Sequence, residues 1–204
     1  MKRLDHPNVV RLVDHFETNK EIFLLQEFVS GHSLNQFIKI KTINSGQKTL
    51  PEDQAKFLFR QLCEAMRYLH DIQVCHRDIK LENIIIDERC NLKLIDFGFS
   101  VCTPPESKLK IFCGTPSYMA PEIVLKKDYS GFATDVWAMG VVLHLLVTGD
   151  YPFKGRTERE LYLKIAKGAF SLPDLIHPEA RRLIQRMLTI EPVKRPYNSS
   201  PSSF

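Results

Sequence analysis

A dense polar segment constrains this chain more than any other feature, because it stands between a helix pattern and a hairpin pattern. It reads HRDIKLEN over residues 76–83, and the hairpin that follows it ends directly in Asp96. Asp78, Lys80 and Asn83 are therefore predicted, like Asp96, to lie at the ends of short strands. Carboxylate and amide oxygens are the ligands that Mg²⁺ prefers, together with phosphate. The residues alone indicate a magnesium-type ligand set.

Hydrophobic periodicity predicts short strands and helices around this segment. The apolar runs at 9–13 and 21–25 predict one hairpin, and those at 84–86 and 92–95 predict a second. Thr49 and Glu52 have the spacing of a capping box ahead of a helix whose apolar positions extend to Leu69. Loops are predicted at 42–48 and 97–121, and further helices at 134–148, 158–167 and 179–188.

Composition argues against several classes of protein. With 44% hydrophobic and 25% charged residues among 204, the chain has the composition of one ordinary globular domain. Its longest apolar stretch, 133–148, is interrupted by Asp135 and His144 and is shorter than the roughly 18 apolar residues of a membrane span. No apolar signal segment follows Met1, the five cysteines form no C-x-x-C pair, and the net charge is only +4. We expect no membrane or nucleic-acid partner and a cytoplasmic or nuclear location.

Three motifs in order resemble the catalytic core of eukaryotic protein kinases of the serine/threonine type. H-R-D-x-K-x-x-N at 76–83 is followed by D-F-G at 96–98 and A-P-E at 120–122. The chain is similar to calcium/calmodulin-dependent and AMP-activated kinase-like members. This resemblance implies an α+β, protein kinase-like fold, mainly the helical large lobe. It divides the chain into a remnant of the β-rich small lobe with the hinge at 1–29, the large lobe at 30–196, and a Ser-rich disordered tail at 197–204.

The resemblance also implies ATP and Mg²⁺ as cofactors and protein serine or threonine hydroxyls as substrates. Asp78 would accept the proton of the substrate hydroxyl, and Lys80 would steady the transferred phosphate. Asn83 and Asp96 would hold the metal ions. Thr115 would face the substrate and bond both Asp78 and Lys80.

A nucleotide site at the hinge is implied by the same resemblance. The backbones of Glu27 and Val29 would meet the adenine edge, with Gln26 at the gatekeeper position. Ile85 would pack beneath the ring and Ser33 would lie near the ribose. From the residues alone, 25–29 is read equally well as a core strand that runs into a turn.

Two structural roles follow from the family pattern outside the catalytic motifs. Asp135, at the start of the apolar helix, would brace the backbone of the catalytic loop. Arg195 would pair with Glu122 of A-P-E, and a buried ion pair of this kind is costly to break.

The chain departs from the family pattern near its start. Neither the glycine-rich loop nor the V-A-I-K lysine occurs, and the segment 4–10 aligns after the glutamate that pairs with that lysine. We expect an N-terminally truncated kinase that is weak or inactive alone. This is favoured because Asp78, Lys80, Asn83 and Asp96 are all retained. The alternative is a non-catalytic interaction or regulatory module with a partner protein, whereas metal-dependent hydrolysis lacks a supporting acid cluster.

A second departure concerns the run 108–115, which resembles the activation loop of AMP-activated, microtubule-affinity-regulating and cyclic-nucleotide-dependent kinases. Ile111 stands where those kinases carry a phosphorylated threonine, and isoleucine cannot be phosphorylated. Arg77 would normally receive that phosphate as a charge-assisted pair. We therefore expect another way of ordering the loop, with Ser107 as one candidate; the alternative is that Ser107 is a solvated loop residue.

Overall fold

A nearly all-apolar helix, α4 (Gly131–Thr148), forms the centre of the fold in the computed structural model, which describes residues 4–46 and 48–196. Its length and mean hydropathy of 1.5 would suit a membrane span, but 83% of it is buried inside the protein. Trp137 and Val141 on this helix are 0% exposed. The helix is therefore a core element whose neighbours cover it on every side. The tail expected at 197–204 lies outside the described residues.

Strands and helices come in separate runs along the chain and all the paired strands are antiparallel, which is typical of an α+β architecture. The strands are β1 (Leu12–Glu17), β2 (Ile22–Gln26), β3 (His32–Ser33), β4 (Val74–Cys75), β5 (Ile84–Ile86), β6 (Leu92–Leu94) and β7 (Val101–Cys102). The other helices are α1 (Leu34–Ser45), α2 (Glu52–Asp71), α3 (Pro121–Val124), α5 (Glu158–Lys167) and α6 (Pro178–Met187). Helix α4 packs against α2 and α6.

The first predicted hairpin is present, but it begins later than its sequence pattern suggests. β1 pairs antiparallel with β2, and the register runs from Leu12 opposite Gln26 to Glu17 opposite Ile22. Val9 and Val10 do not belong to it: both are buried, Val9 forms a parallel bridge with Leu94 of β6, and Val10 N donates to the Leu94 carbonyl. Most of the hairpin's large apolar side chains are exposed, namely Val13, Phe16, Ile22, Phe23, Leu24 and Leu25.

Helix α1 was not predicted, and its last residues replace part of the loop expected at 42–48. A capping box begins the helix, because the Ser33 hydroxyl accepts from Gln36 N while the Gln36 side chain accepts from Ser33 N. The helix ends at Gly46 in the left-handed conformation. The capping box predicted at Thr49 and Glu52 is wrong, since α2 begins after Pro51 with no side-chain cap.

The second hairpin and a short strand pair position the polar segment. β5 pairs with β6 in the predicted antiparallel hairpin, and β3 pairs with the other edge of β5. β4, which precedes residue 76, pairs antiparallel with β7, which follows residue 98. The polar segment 76–83 therefore leaves β4 at the same end of the strand pair at which the chain, after the D-F-G segment 96–98, enters β7.

Candidate active site

The Asp78 carboxylate is the centre of a bonded set of four side chains. Its Oδ1 accepts from Thr115 Oγ1 at 2.9 Å, and its Oδ2 accepts from Lys80 Nζ at 2.6 Å and Asn83 Nδ2 at 3.0 Å. Lys80 Nζ also donates to Thr115 Oγ1 at 3.1 Å. Asp78 itself is only 4% exposed. The structure thus brings together all four residues that the sequence nominated as catalytic.

The backbone of the catalytic loop is held by a buried carboxylate, as the resemblance implied. Asp135 is 1% exposed, and its oxygens accept from the backbone N–H groups of His76 at 2.9 Å and Arg77 at 2.8 Å. His70 Nε2 lies 3.0 Å from the same carboxylate. Arg77 has φ of 65°, a left-handed conformation that non-glycine residues rarely adopt. The hydrogen bonds from the backbone to Asp135 can maintain this conformation. The loop that carries Asp78 is therefore rigidly positioned.

Asn83 and Asp96 fit the oxygen donor set that Mg²⁺ prefers. The backbone oxygen of Asn83 accepts from Ile95 N at 2.9 Å, which places Asn83 beside the residue that precedes Asp96. The Asn83 amide nitrogen is used by Asp78, so its carbonyl oxygen can serve a cation. Asp96 is exposed, with φ of 62° and one carboxylate oxygen accepting from Gly98 N at 3.1 Å. No three His, Cys, Asp or Glu side chains among residues 4–46 and 48–196 cluster as a metal cage. Mg²⁺ commonly uses few protein ligands together with substrate phosphates.

The residues nominated for the nucleotide lie partly on one small sheet. Ser33 of β3 is paired with Ile85 of β5, while Val29 packs against the core. Ser33 also caps α1, a role that the sequence did not suggest. The Glu27 carboxylate accepts hydrogen bonds from Arg11 N and Lys93 Nζ. Burial works against ionisation of Glu27, but the bond from Lys93 outweighs it, so the pKa of Glu27 is lowered. The contacts of these four residues with a nucleotide stay predictions.

Two tyrosines that belong to no motif accept hydrogen bonds from the segment 76–83. The hydroxyl of Tyr118, which is 5% exposed, accepts from Leu81 N of the catalytic loop at 3.3 Å. The hydroxyl of Tyr129 accepts from Arg77 Nη1 at 3.3 Å. Sequence reasoning missed both because neither belongs to a motif, although Tyr118 lies just before A-P-E. Ser107, one candidate for ordering the loop, is not among the residues that the structure bonds to Arg77.

Two buried histidines should make the folded state less stable at acidic pH. Burial lowers the pKa of His76, which packs edge-on against Phe97 at 4.9 Å, and the pKa of His144, whose ring lies near the carbonyls of Asp150 and Ser171. In the unfolded chain a histidine takes up its proton near pH 6.5, whereas these two resist protonation when folded. The unfolded state therefore binds more protons below pH 6.5, and stability should fall there.

The test is urea unfolding at pH 7.5 and pH 5.5. Because an unfolded histidine titrates near pH 6.5, each of the two can add at most about 1.4 kcal/mol to the loss of unfolding free energy between these pH values. His144→Gln should reduce that loss, while His15→Gln, which removes an exposed imidazole, serves as the matched control. An equal pH dependence in the His144 variant and the wild type would contradict the prediction.

Comparison with known proteins agrees with this geometry. A family model described as "Protein kinase domain" matches residues 1–200. The "Probable serine/threonine-protein kinase MARK-A" of Dictyostelium discoideum is 41% identical over 195 residues, which is 96% of this chain and 18% of that protein. "Sperm motility kinase 2B" of Mus musculus is 40% identical over 192 residues, covering 94% of this chain and 38% of its own length. The "Probable serine/threonine-protein kinase HSL1" of Saccharomyces cerevisiae is 38% identical over 196 residues, which is 96% of this chain and 12% of that protein. The chain thus spans well under half of these relatives.

Proposed function

Because the chain belongs to the protein kinase domain family, with relatives named as serine/threonine kinases, we propose that its gene product transfers the γ-phosphoryl group of ATP to serine and threonine hydroxyls of proteins. The observation that carries the proposal is the bonded set around Asp78. It joins the buried Asp78 carboxylate and Asn83 amide to the partly exposed Lys80 ammonium and Thr115 hydroxyl. Positioning and charge, rather than covalent chemistry, are what phosphoryl transfer requires from a protein.

Each member of the set has a task in that reaction. Asp78 accepts the proton of the substrate hydroxyl as it attacks, which is general-base catalysis. Lys80, held by Asp78 and Thr115, presents its positive charge to the transferred phosphoryl group. Asn83 and Asp96 would hold Mg²⁺, which when bound neutralises charge on the phosphates. Thr115 ties the end of the activation loop to the base, so that substrate and base are positioned together.

An interaction or regulatory module is the second candidate, and the β1–β2 hairpin favours it. Its apolar side chains are open to solvent, with Ile22 65% exposed, and Phe28 beyond β2 is 92% exposed. A single two-stranded hairpin with an uncovered apolar face is at best marginally stable in water. Such a surface needs a cover, either from other strands of a small lobe or from a regulatory protein. For the same reason we expect residues 1–204 alone to transfer phosphate poorly.

The proposal is tested by assaying the complete gene product and residues 1–204 side by side. Each is incubated with Mg²⁺, γ-labelled ATP and a generic protein substrate, and the labelled amino acids are identified after hydrolysis. We expect phosphoserine and phosphothreonine with the complete product, loss of label with a chelator, and much less label with residues 1–204. A complete product that transfers no label, although residues 1–204 bind a partner protein, would favour the non-catalytic module.

A further inference from the structure

The activation loop, residues 108–115, is held by hydrogen bonds although Ile111 cannot carry a phosphate. Residues 109–113, called the loop strand below, lie beside Tyr129, which precedes α4. Leu109 and Tyr129 exchange both backbone hydrogen bonds, at 2.8 and 3.0 Å, as an antiparallel bridge. Tyr129 is 2% exposed. One residue outside the loop therefore holds the beginning of the loop strand through its backbone.

The hydroxyl of Tyr129 fastens the rest of the loop strand. It donates to the carbonyl oxygen of Ile111 at 2.7 Å and lies 3.7 Å from Cys113 Sγ, which can donate to it. Burial raises the pKa of Tyr129 to about 12, so the hydroxyl keeps the proton that it donates at neutral pH. The loop strand is thus held at its alternate positions 109, 111 and 113.

The same hydroxyl reaches the catalytic loop. It accepts from Arg77 Nη1 at 3.3 Å, and Arg77 Nε donates to the Phe99 carbonyl at 2.6 Å. The backbone of Arg77 is anchored on Asp135. The loop strand then continues through Gly114, whose φ of 114° turns the chain, into Thr115, which bonds Asp78. A continuous set of bonds therefore runs from Arg77 through Tyr129 and the loop strand to the catalytic aspartate.

We propose that Tyr129 is a positioning residue for phosphoryl transfer, whose hydroxyl holds the activation loop on Arg77 in place of a phosphate at position 111. Arg77 directs two of its side-chain donors, Nε and Nη1, to Phe99 and Tyr129, and these bonds order the substrate-facing loop without loop phosphorylation. The kinetic part of this proposal rests on the proposed kinase function. The ordering of the loop does not.

The kinetic test compares Tyr129→Phe with the matched control Tyr162→Phe in the complete gene product. Tyr162 also touches the loop, because its ring packs edge-on against Phe112 at 6.4 Å, but its hydroxyl is influenced by Glu158: burial and this carboxylate raise the pKa of Tyr162 to about 12. Removing the Tyr129 hydroxyl should raise the KM for a protein substrate about tenfold, the equivalent of one or two hydrogen bonds. The KM for ATP and the thermal midpoint should stay near the wild-type values, since the buried ring is retained. If Tyr129→Phe had the same KM for the protein substrate as Tyr162→Phe, the proposal would be overturned.

The ordering of the loop is tested separately by limited trypsin digestion, which needs no catalytic activity. Lys108 and Lys110 flank Leu109 and are the reporters, since both are exposed. Cleavage after them should be faster in Tyr129→Phe than in wild type or Tyr162→Phe, and phosphatase treatment of the wild type should change neither cleavage nor activity. Equal cleavage in all three proteins, or a loop loosened by phosphatase, would overturn the proposal. If the wild type proves inactive, the kinase assignment fails while the digestion still decides the role of Tyr129.

Discussion

Replacing Asp78 with asparagine should lower kcat for phosphoryl transfer by about 10²–10⁴-fold, the range expected when a general base is lost. An amide cannot take up the substrate proton, yet it keeps the shape of the side chain and can still accept one of the bonds from Thr115 or Lys80. The KM for ATP should change little, because Asp78 is not among the residues nominated for the nucleotide. The measurement is steady-state phosphorylation of a protein substrate by the complete gene product.

Asp71→Asn is the matched control for this prediction. Asp71 is the last residue of α2, its side chain is 60% exposed, and its ion pair with Arg67 is long at 3.9 Å. The same chemical change there should alter kcat by no more than about twofold, as most surface substitutions do. Activity of Asp78→Asn close to that of this control would show that Asp78 is not the base.

Replacing Arg195 with alanine should lower the free energy of unfolding by about 3–5 kcal/mol, the cost of breaking a buried ion pair from one side. Arg195 donates to both oxygens of Glu122, at 2.6 and 2.8 Å, and the two side chains are 1% and 7% exposed. Its guanidinium also bonds three backbone carbonyls and lies 5.0 Å from the Trp137 ring. Alanine would leave the Glu122 charge and these carbonyls without their partner in the core.

Urea unfolding measures this loss, and the adjacent Lys194 provides the control. Lys194 pairs with Glu191 at 2.6 Å, but both side chains are more than half exposed, so the pair is screened by water. Lys194→Ala should therefore cost at most about 1 kcal/mol. If Arg195→Ala were no more destabilising than Lys194→Ala, the buried pair would contribute little to the fold. Such a result would contradict the role assigned to Glu122.

The catalytic residues could be nominated from the sequence because most of them lie close together in the chain. Asp78, Lys80 and Asn83 are separated by only a few residues, and Asn83 adjoins the hairpin that ends at Asp96. Their order with D-F-G and A-P-E resembles the kinase pattern, and the structure brings them together. The Glu122–Arg195 pair spans 73 residues and was also expected, but only from the family resemblance.

Local signals were less reliable for the boundaries of helices and strands. α1 was missed because its apolar side chains do not mark one face clearly: Leu34 and Phe37 are buried, whereas Ile40 and Ile43 are exposed. The spacing of Thr49 and Glu52 suggested a cap that the structure does not use. Val9 and Val10 have the composition of a strand in the first hairpin, yet they pack on β6, where burial is available.

The sequence by itself determined which side chains are candidates for the chemistry and which long apolar run forms the core helix, since both depend on residue type and short spacing. The tertiary structure alone decided which groups accept hydrogen bonds from the Arg77 side chain. Its partner Tyr129 lies 52 residues away and belongs to no motif, and that hydroxyl meets Ile111 because of where the chain enters α4. Buried polar groups must find partners wherever the fold brings them, and such pairing leaves no periodic signal in the chain.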